Sequence, residues 1–201
     1  GEKIPVDQLQ FDVGGNAANV AVGLARLSLK TATYIHYGSD EISQKIVNVL
    51  KNEGVGTEYL VEDKGETSAI GIAINFQGER SLLVHHIVRN HALPQISVPK
   101  WIYLTSLGER WEDVYRQVVD FVKTNNVKLA FSPGSHQLDS GVDSFGQQTK
   151  AANILFCNKE EAKKIAKNDT DDLKTLLDQL QAIGSKIVSI TDGSNGSYAI
   201  D

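Results

Sequence analysis

The sequence predicts a single α/β domain: a doubly wound, mainly parallel sheet with a β insertion outside it. Short runs rich in β-branched and aromatic residues alternate with roughly 10–15-residue stretches of helical periodicity, the order that a parallel sheet with crossover helices requires. One pair of strand-like runs, 68–76 and 80–88, has no helix between its members and is expected to stand apart as a flap. The 201 residues, 41% apolar and 22% charged, suffice for one soluble core, with about 70% of the unfolded surface buried on folding.

Residues 6–13 alternate apolar and polar with period two, as a half-buried strand does. Gly14-Gly15 breaks the pattern. Asn16 is expected to cap a helix running to about Leu27, on which Ala17, Val20, Ala21, Leu24 and Ala25 recur at helical spacing. Residues 31–37 read as a strand. After Gly38-Ser39-Asp40 an amphipathic helix carries Ile42, Ile46, Val49 and Leu50 on one stripe, and Gly54 closes it. The two flap strands form a hairpin across 75–80.

A regular order follows. Residues 101–105 are a strand, and 109–124 a helix with Val114, Val118, Phe121 and Val122 aligned. Residues 127–132 are a strand ended by Pro133-Gly134, with a weakly patterned helix near 141–151. A short buried strand at 154–157 leads into helices near 159–167 and 170–183. The second carries Leu173, Leu176, Leu177, Leu180 and Ile183 as its stripe, and Gly184 ends it. Residues 187–191 are a strand, 192–196 a turn, and 197–200 the start of another strand. The absence of any Met, with Gly1 in first place, fits removal of an initiator or a cut fragment; a chain stopping at Asp201 inside an apparent hairpin favours the fragment.

Composition excludes several functions. With 20 Lys+Arg against 25 Asp+Glu the net charge is -5, whereas nucleic acids and anionic membranes want a basic face. No apolar run approaches the ~18 residues of a membrane span, and the first residues do not read as the basic, apolar start expected of a leader. The single Cys157 cannot form an internal disulfide, which fits a reducing cytoplasm. No Walker A sequence occurs, so a P-loop is excluded.

In open α/β sheets ligands bind at the carboxyl ends of the strands, and four places there could carry chemistry. Gly14-Gly15-Asn16-Ala17-Ala18-Asn19 lets backbone approach a ligand and presents helix N–H groups to oxygens, with Asn19 one turn in facing a polyol. A plain Gly turn with an Asn cap is the bland reading. Asn158-Lys159-Glu160-Glu161 could hold a hydrated Mg²⁺ through Asn158 and Glu161; the same spacing is also a capping box. Thr191-Asp192-Gly193-Ser194-Asn195-Gly196 lacks the first half of a dinucleotide fingerprint and precedes a strand, which disfavours a Rossmann dehydrogenase and leaves a nucleotide-touching turn or a plain hairpin. The fourth place is His85, His86 and His91, a poor candidate for a metal because His85 and His86 are adjacent on a strand, point to opposite faces and cannot both ligate one ion. Arg80 and Arg89 flank the flap and could meet an anionic or hydroxylated substrate. Cys157 reads as core, and Asp169, Asp171 and Asp172 favour the next helix's N-terminus.

In this order the motifs resemble those of the ribokinase-like (PfkB) carbohydrate kinases. The similarity runs from Gly14-Gly15-Asn16-Ala17-Ala18-Asn19-Val20-Ala21 through Tyr37-Gly38-Ser39-Asp40, Gly78-Glu79-Arg80 and Asn158-Lys159-Glu160-Glu161 to Thr191-Asp192-Gly193-Ser194-Asn195-Gly196. The resemblance implies a three-layer αβα sandwich with a small β lid, here at 1–13 and about 65–91, and transfer of the ATP γ-phosphoryl to a sugar, sugar-acid or nucleoside hydroxyl. It places Gly14, Gly15, Asn16 and Asn19 at the sugar, Asn158 and Glu161 at Mg²⁺ and the phosphates, and Thr191, Gly193 and Gly196 at the nucleotide; Arg89, from its place beside the flap, is expected at the substrate as well. It implies ATP and Mg²⁺ as cofactors, K⁺ as a further candidate, and a homodimer through the lid. The family's first strand with its substrate-gripping Asp, and its Gly-Ala-Gly-Asp signature with the catalytic base, are absent from these residues. A chain of these residues alone is therefore expected to be nearly inactive, with a non-catalytic sugar- and nucleotide-binding protein as the competing reading.

Overall fold

The structure, a computed structural model, describes residues 3, 5–77 and 79–201, and its contacts divide the chain into two compact units, 1–69 and 70–201.

The first unit holds α1 (Asn16–Arg26), β1 (Ile35–Tyr37), α2 (Ser43–Asn52) and β2 (Leu60–Glu62). β1 and β2 pair in parallel, Ile35 opposite Leu60, with α2 as the crossover that a parallel pair needs. Ala18 and Ala21 of α1 pack with Leu50 and Val55, and Ile35, Ile46 and Leu60 close around them. Small side chains on α1 let its backbone come near that cluster.

Three expectations change here. Residues 5–13 form no strand; Val6, Leu9 and Phe11 are exposed, no neighbouring strand pairs with them, and alternation alone supplies no surface to bury. Residues 1, 2 and 4 of that predicted lid strand lie outside the described residues. The strand expected at 31–37 shrinks to β1, with an isolated bridge from Ala32 to Gly56. β2, only three residues long, was not anticipated.

The second unit opens with a hairpin, β3 (Ile70–Phe76) and β4 (Glu79–His85), in register from Ile70–His85 to Phe76–Glu79. Gly78 in its turn lies outside the described residues. Every described side chain on both strands is exposed, as expected of an insertion outside the sheet. The main sheet follows: β5 (Trp101–Leu104), β6 (Lys128–Phe131), β7 (Ile154–Asn158), β8 (Ile187–Thr191) and β9 (Ser197–Ile200), in that spatial order. The first four are parallel and β9 returns antiparallel to β8. The connections are α3 (Glu112–Asn125), α4 (Ser135–Asp139), α5 (Gly146–Ala151), α6 (Lys159–Ala166) and α7 (Leu173–Ile183). The observed class is therefore the predicted one, α/β with a mainly parallel sheet.

One face of this sheet makes the core. Leu129, Phe131, Leu155, Cys157, Val188 and Ile190 alternate along β6, β7 and β8 into one cluster with Val114, Tyr115, Val118 and Val122 of α3 and Leu176 and Leu180 of α7. The helix expected at 141–151 is a 3-10 turn (Val142–Phe145) running into α5, because Phe145 is fully buried and ties the turn to the core. The helix expected from 170 starts at Leu173, since the Asp172 carboxylate caps it by accepting the Thr175 N–H at 3.1 Å. α4 was not anticipated. Truncating the fully buried Leu176 to Ala should cost about 2–5 kcal/mol in urea unfolding, whereas Val98→Ala, at a side chain 60% exposed, should stay within about 0.5 kcal/mol.

Candidate functional site

The predicted residues fall into two groups. Gly14, Gly15, Asn16 and Asn19 belong to the first unit; Arg89, Asn158, Glu161, Thr191, Gly193 and Gly196 belong to the second.

In the first unit, Gly15 precedes α1 with φ 98° and ψ 146°, a backbone open to glycine and strained for other residues. A Cβ built on Gly14 or Gly15 would meet nothing within 4 Å, so this backbone is open to close approach. Asn16 does not cap the helix. It is the first helical residue, and Gly15 stands at the cap position with no side chain bonding the helix start. Asn16 and Asn19 are both exposed and three residues apart, hence on one face. Asn19 lines a cavity of about 280 Å³ together with Asp12, Val13, Arg26 and Glu53; Asn16 does not. The Arg26 guanidinium grips Glu53 through two bonds, 2.7 and 2.6 Å, which holds the Glu53 carboxyl below its ordinary range and keeps Arg26 engaged.

In the second unit the carboxyl ends of three neighbouring parallel strands meet. Asn158 ends β7 and stands opposite Thr191, the last residue of β8. Ser132 follows the last residue of β6. A cavity of about 240 Å³ is lined by Ser132, Phe156, Cys157, Asn158, Glu161 and Thr191. Three predicted residues thus converge: Asn158, Glu161 and Thr191.

Asn158 and Glu161 also form a reciprocal capping box at the start of α6. The Glu161 N–H donates to Asn158 Oδ1 at 2.8 Å, and the Asn158 N–H donates to Glu161 Oε2 at 2.9 Å. Glu161 Oε1 makes no hydrogen bond with the described residues. One carboxylate oxygen and an amide beside a helix N-terminus suit a hard cation that keeps most of its water, and the helix start favours anionic oxygens. These residues therefore fit a magnesium–phosphate group.

The remaining residues stand apart from this cavity. Gly193 and Gly196 are exposed in the turn after β8, closed by the Asp192 N–H bonding Gly196 O at 2.8 Å. Arg89 is buried beyond the hairpin and does not line it. His86 meets His136 edge-on at 5.5 Å. Burial, with the Glu161 charge adding to it, pushes the Cys157 thiol up to about 12, so it stays protonated and serves as core. Ser132 was missed by the sequence reading; a single serine after an apolar strand has no spacing signal, and only the pairing of β6 with β7 brings it here.

The family model for pfkB carbohydrate kinases matches residues 1–201. A fructokinase of Vibrio alginolyticus is 26% identical over 204 residues, an alignment that takes in 93% of this chain and 65% of that protein. The chain thus spans just under two thirds of that relative's length. Among solved structures, the Halothermothrix orenii fructokinase superposes with a TM-score of 0.77 at 20% identity, covering 94% of this chain and 71% of that one. An uncharacterized sugar kinase of Pyrococcus horikoshii in complex with ATP superposes at 0.72 with 23% identity, covering 93% and 64%. At such identities the two structures show a shared ribokinase-like fold and nothing finer. With the family model matched along its whole length, the chain belongs to the pfkB family of carbohydrate kinases.

Proposed function

We propose that this chain supplies the substrate- and nucleotide-binding portion of an ATP-dependent kinase that phosphorylates a hydroxyl of a sugar or sugar acid. The observation that carries the reading is the convergence of Asn158, Glu161 and Thr191 on one cavity at the carboxyl edge of the parallel sheet. In this reading residues 1–201 belong to one ribokinase-like domain. Gly14, Gly15, Asn16, Asn19 and Arg89 hold the sugar, and Thr191, Gly193 and Gly196 meet the nucleotide. Glu161 and Asn158 orient a magnesium ion through its water shell. Bound MgATP supplies the phosphoryl group and the cation that neutralises its charge. The segment 65–91 acts as a lid that excludes water. The protein works in the cytoplasm, and K⁺ is a candidate activator.

ADP release measured with ATP and a panel of ketoses, aldoses, sugar acids and nucleosides tests this. A hexose or sugar acid should be the best acceptor; turnover restricted to adenosine or inosine would replace the sugar reading with a nucleoside kinase. Sugar binding by calorimetry, with no product from any acceptor in a catalytically complete protein, would leave a binding protein. The 201 residues contain no Gly-Ala-Gly-Asp, so a polypeptide of these residues alone should bind ligands yet turn over at least about 10³-fold more slowly.

Two variants separate the cavity's jobs. Glu161→Gln keeps an oxygen for the Asn158 N–H, so thermal stability should hold, but MgATP affinity by calorimetry should drop about tenfold, roughly 1.4 kcal/mol. Asn158→Ala removes the cap itself and should in addition cost about 1 kcal/mol of folding stability.

The lid also fits a dimer contact. Ile70, Ile72, Ile74, Phe76 and Leu83 share one hairpin face, 44–69% exposed, and an uncovered two-stranded ribbon of this kind invites pairing with a second copy. Light scattering should report a dimer that Ile72→Glu converts to monomer.

A further inference from the structure

Of the residues that line the cavity at the carboxyl edge of the main sheet, Glu161 alone is charged. Among the described residues no lysine or arginine lines it. An anion bound there is therefore held by neutral donors and by the cation that accompanies it. Three such donors stand on the wall: the Thr191 hydroxyl, the Asn158 amide nitrogen and the Ser132 hydroxyl. None of the three makes a hydrogen bond with the described residues; the helix cap engages only the oxygen of the Asn158 amide.

The sheet sets these donors in a row. Thr191 ends β8, Asn158 ends β7 beside it, and Ser132 follows the end of β6 on the other side of β7. The Ser132 and Thr191 backbones thus stand at least two strand spacings apart, about 10 Å. One phosphate cannot reach across such a row, whereas a chain of phosphates can.

The Ser132 backbone is fixed on both sides. Its N–H donates to Leu104 O at 2.9 Å, extending the ladder between β5 and β6. Phe131 before it is fully buried. Pro133 and Gly134 after it are buried, and a Cβ on Gly134 would lie 2.0 Å from Ser106 Cβ, so the chain has no room to shift there. The Gly134 N–H is taken up by Gln137 Oε1 at 3.1 Å. Ser132 itself is half-buried. A hydroxyl on so rigid a backbone, unclaimed by the protein and open to the cavity, is already oriented for a ligand oxygen.

We propose that Ser132 binds the terminal phosphate of the nucleotide: its hydroxyl donates to an oxygen of that phosphate, while Thr191, at the other end of the row, meets the phosphates nearer the nucleoside. The assignment rests on the kinase reading above, which sets the nucleotide at Thr191 and the magnesium ion at Asn158 and Glu161. The nucleotide then enters the row from β8, and the β6 end is left for its last phosphate.

Calorimetry of MgATP and MgADP on the catalytically competent protein tests this, because the two ligands differ only in the terminal phosphate. Ser132→Ala should weaken MgATP about tenfold, the loss of one hydrogen bond to a charged group, and leave MgADP within about twofold. Ser132→Cys keeps the size of the side chain but only a weak donor; it should show the same split and decides the matter if Ser132→Ala does not fold. A purely structural role would weaken both nucleotides alike, and that result overturns the proposal. A wild-type protein that binds neither nucleotide overturns the kinase reading and this assignment together. One that binds both, with MgATP affinity unaltered in the Ser132 variants, overturns this assignment alone.

Discussion

Phe131 lies fully buried between Tyr115 and Phe145, ring centroids 5.8 and 5.9 Å away and edge-on to both, and Trp111 extends the series at 4.7 Å from Tyr115. Edge-to-face pairs of this kind add to the burial of large rings a preference for one geometry. The series joins α3, β6 and the 3-10 turn before α5, so the packing that stabilises the second unit also sets where β6 ends. The residue after Phe131 is Ser132, on the cavity wall. Tyr115 continues the logic at β5: its hydroxyl donates to Thr105 O at 3.0 Å, just past that strand's end. The open edge of the sheet is therefore held by buried aromatic side chains, and the polar groups that gather there need little rigidity of their own.

The second unit was legible in the sequence because its elements obey their periods. Val114, Val118 and Val122 recur every four residues, and Leu155/Cys157 and Val188/Ile190 recur every two, so burial and pattern coincide. Legibility failed where an element owes its existence to something remote. β2 is three residues long and is a strand because β1 is beside it. α4 spans five residues anchored by Gln137, which is buried and donates to Leu107 O at 3.0 Å across thirty positions of chain. Residues 6–13 show the converse, a strand pattern without a partner ladder; there the Lys45 ammonium caps the Phe11 carbonyl at 2.6 Å instead.

The cavity residues show why two readings of one motif need not compete. Asn-x-x-Glu read as a capping box is correct in this structure, with both reciprocal bonds present. The box fixes the first turn of α6 against the end of β7 and leaves Glu161 Oε1 to the cavity. A charge at a helix N-terminus is stabilised by the helix itself, so the arrangement that secures the fold also keeps a carboxylate at the cavity wall. The sequence named the residues, whereas only the register Asn158–Thr191 shows that motifs 33 positions apart form one wall.

The hairpin poses the opposite problem. A packed sheet positions its polar ends through its core, but a two-stranded ribbon with exposed faces has no core to consult. The bonding at Gly38-Ser39-Asp40 lies instead within residues 1–69, away from either cavity. A glycine that admits no Cβ, a carboxylate receiving three donors and a serine almost wholly out of solvent are costly where only a loop is needed. Together they fix residues 38–40 against 65–68, so that two loops distant in sequence share one closed network of bonds.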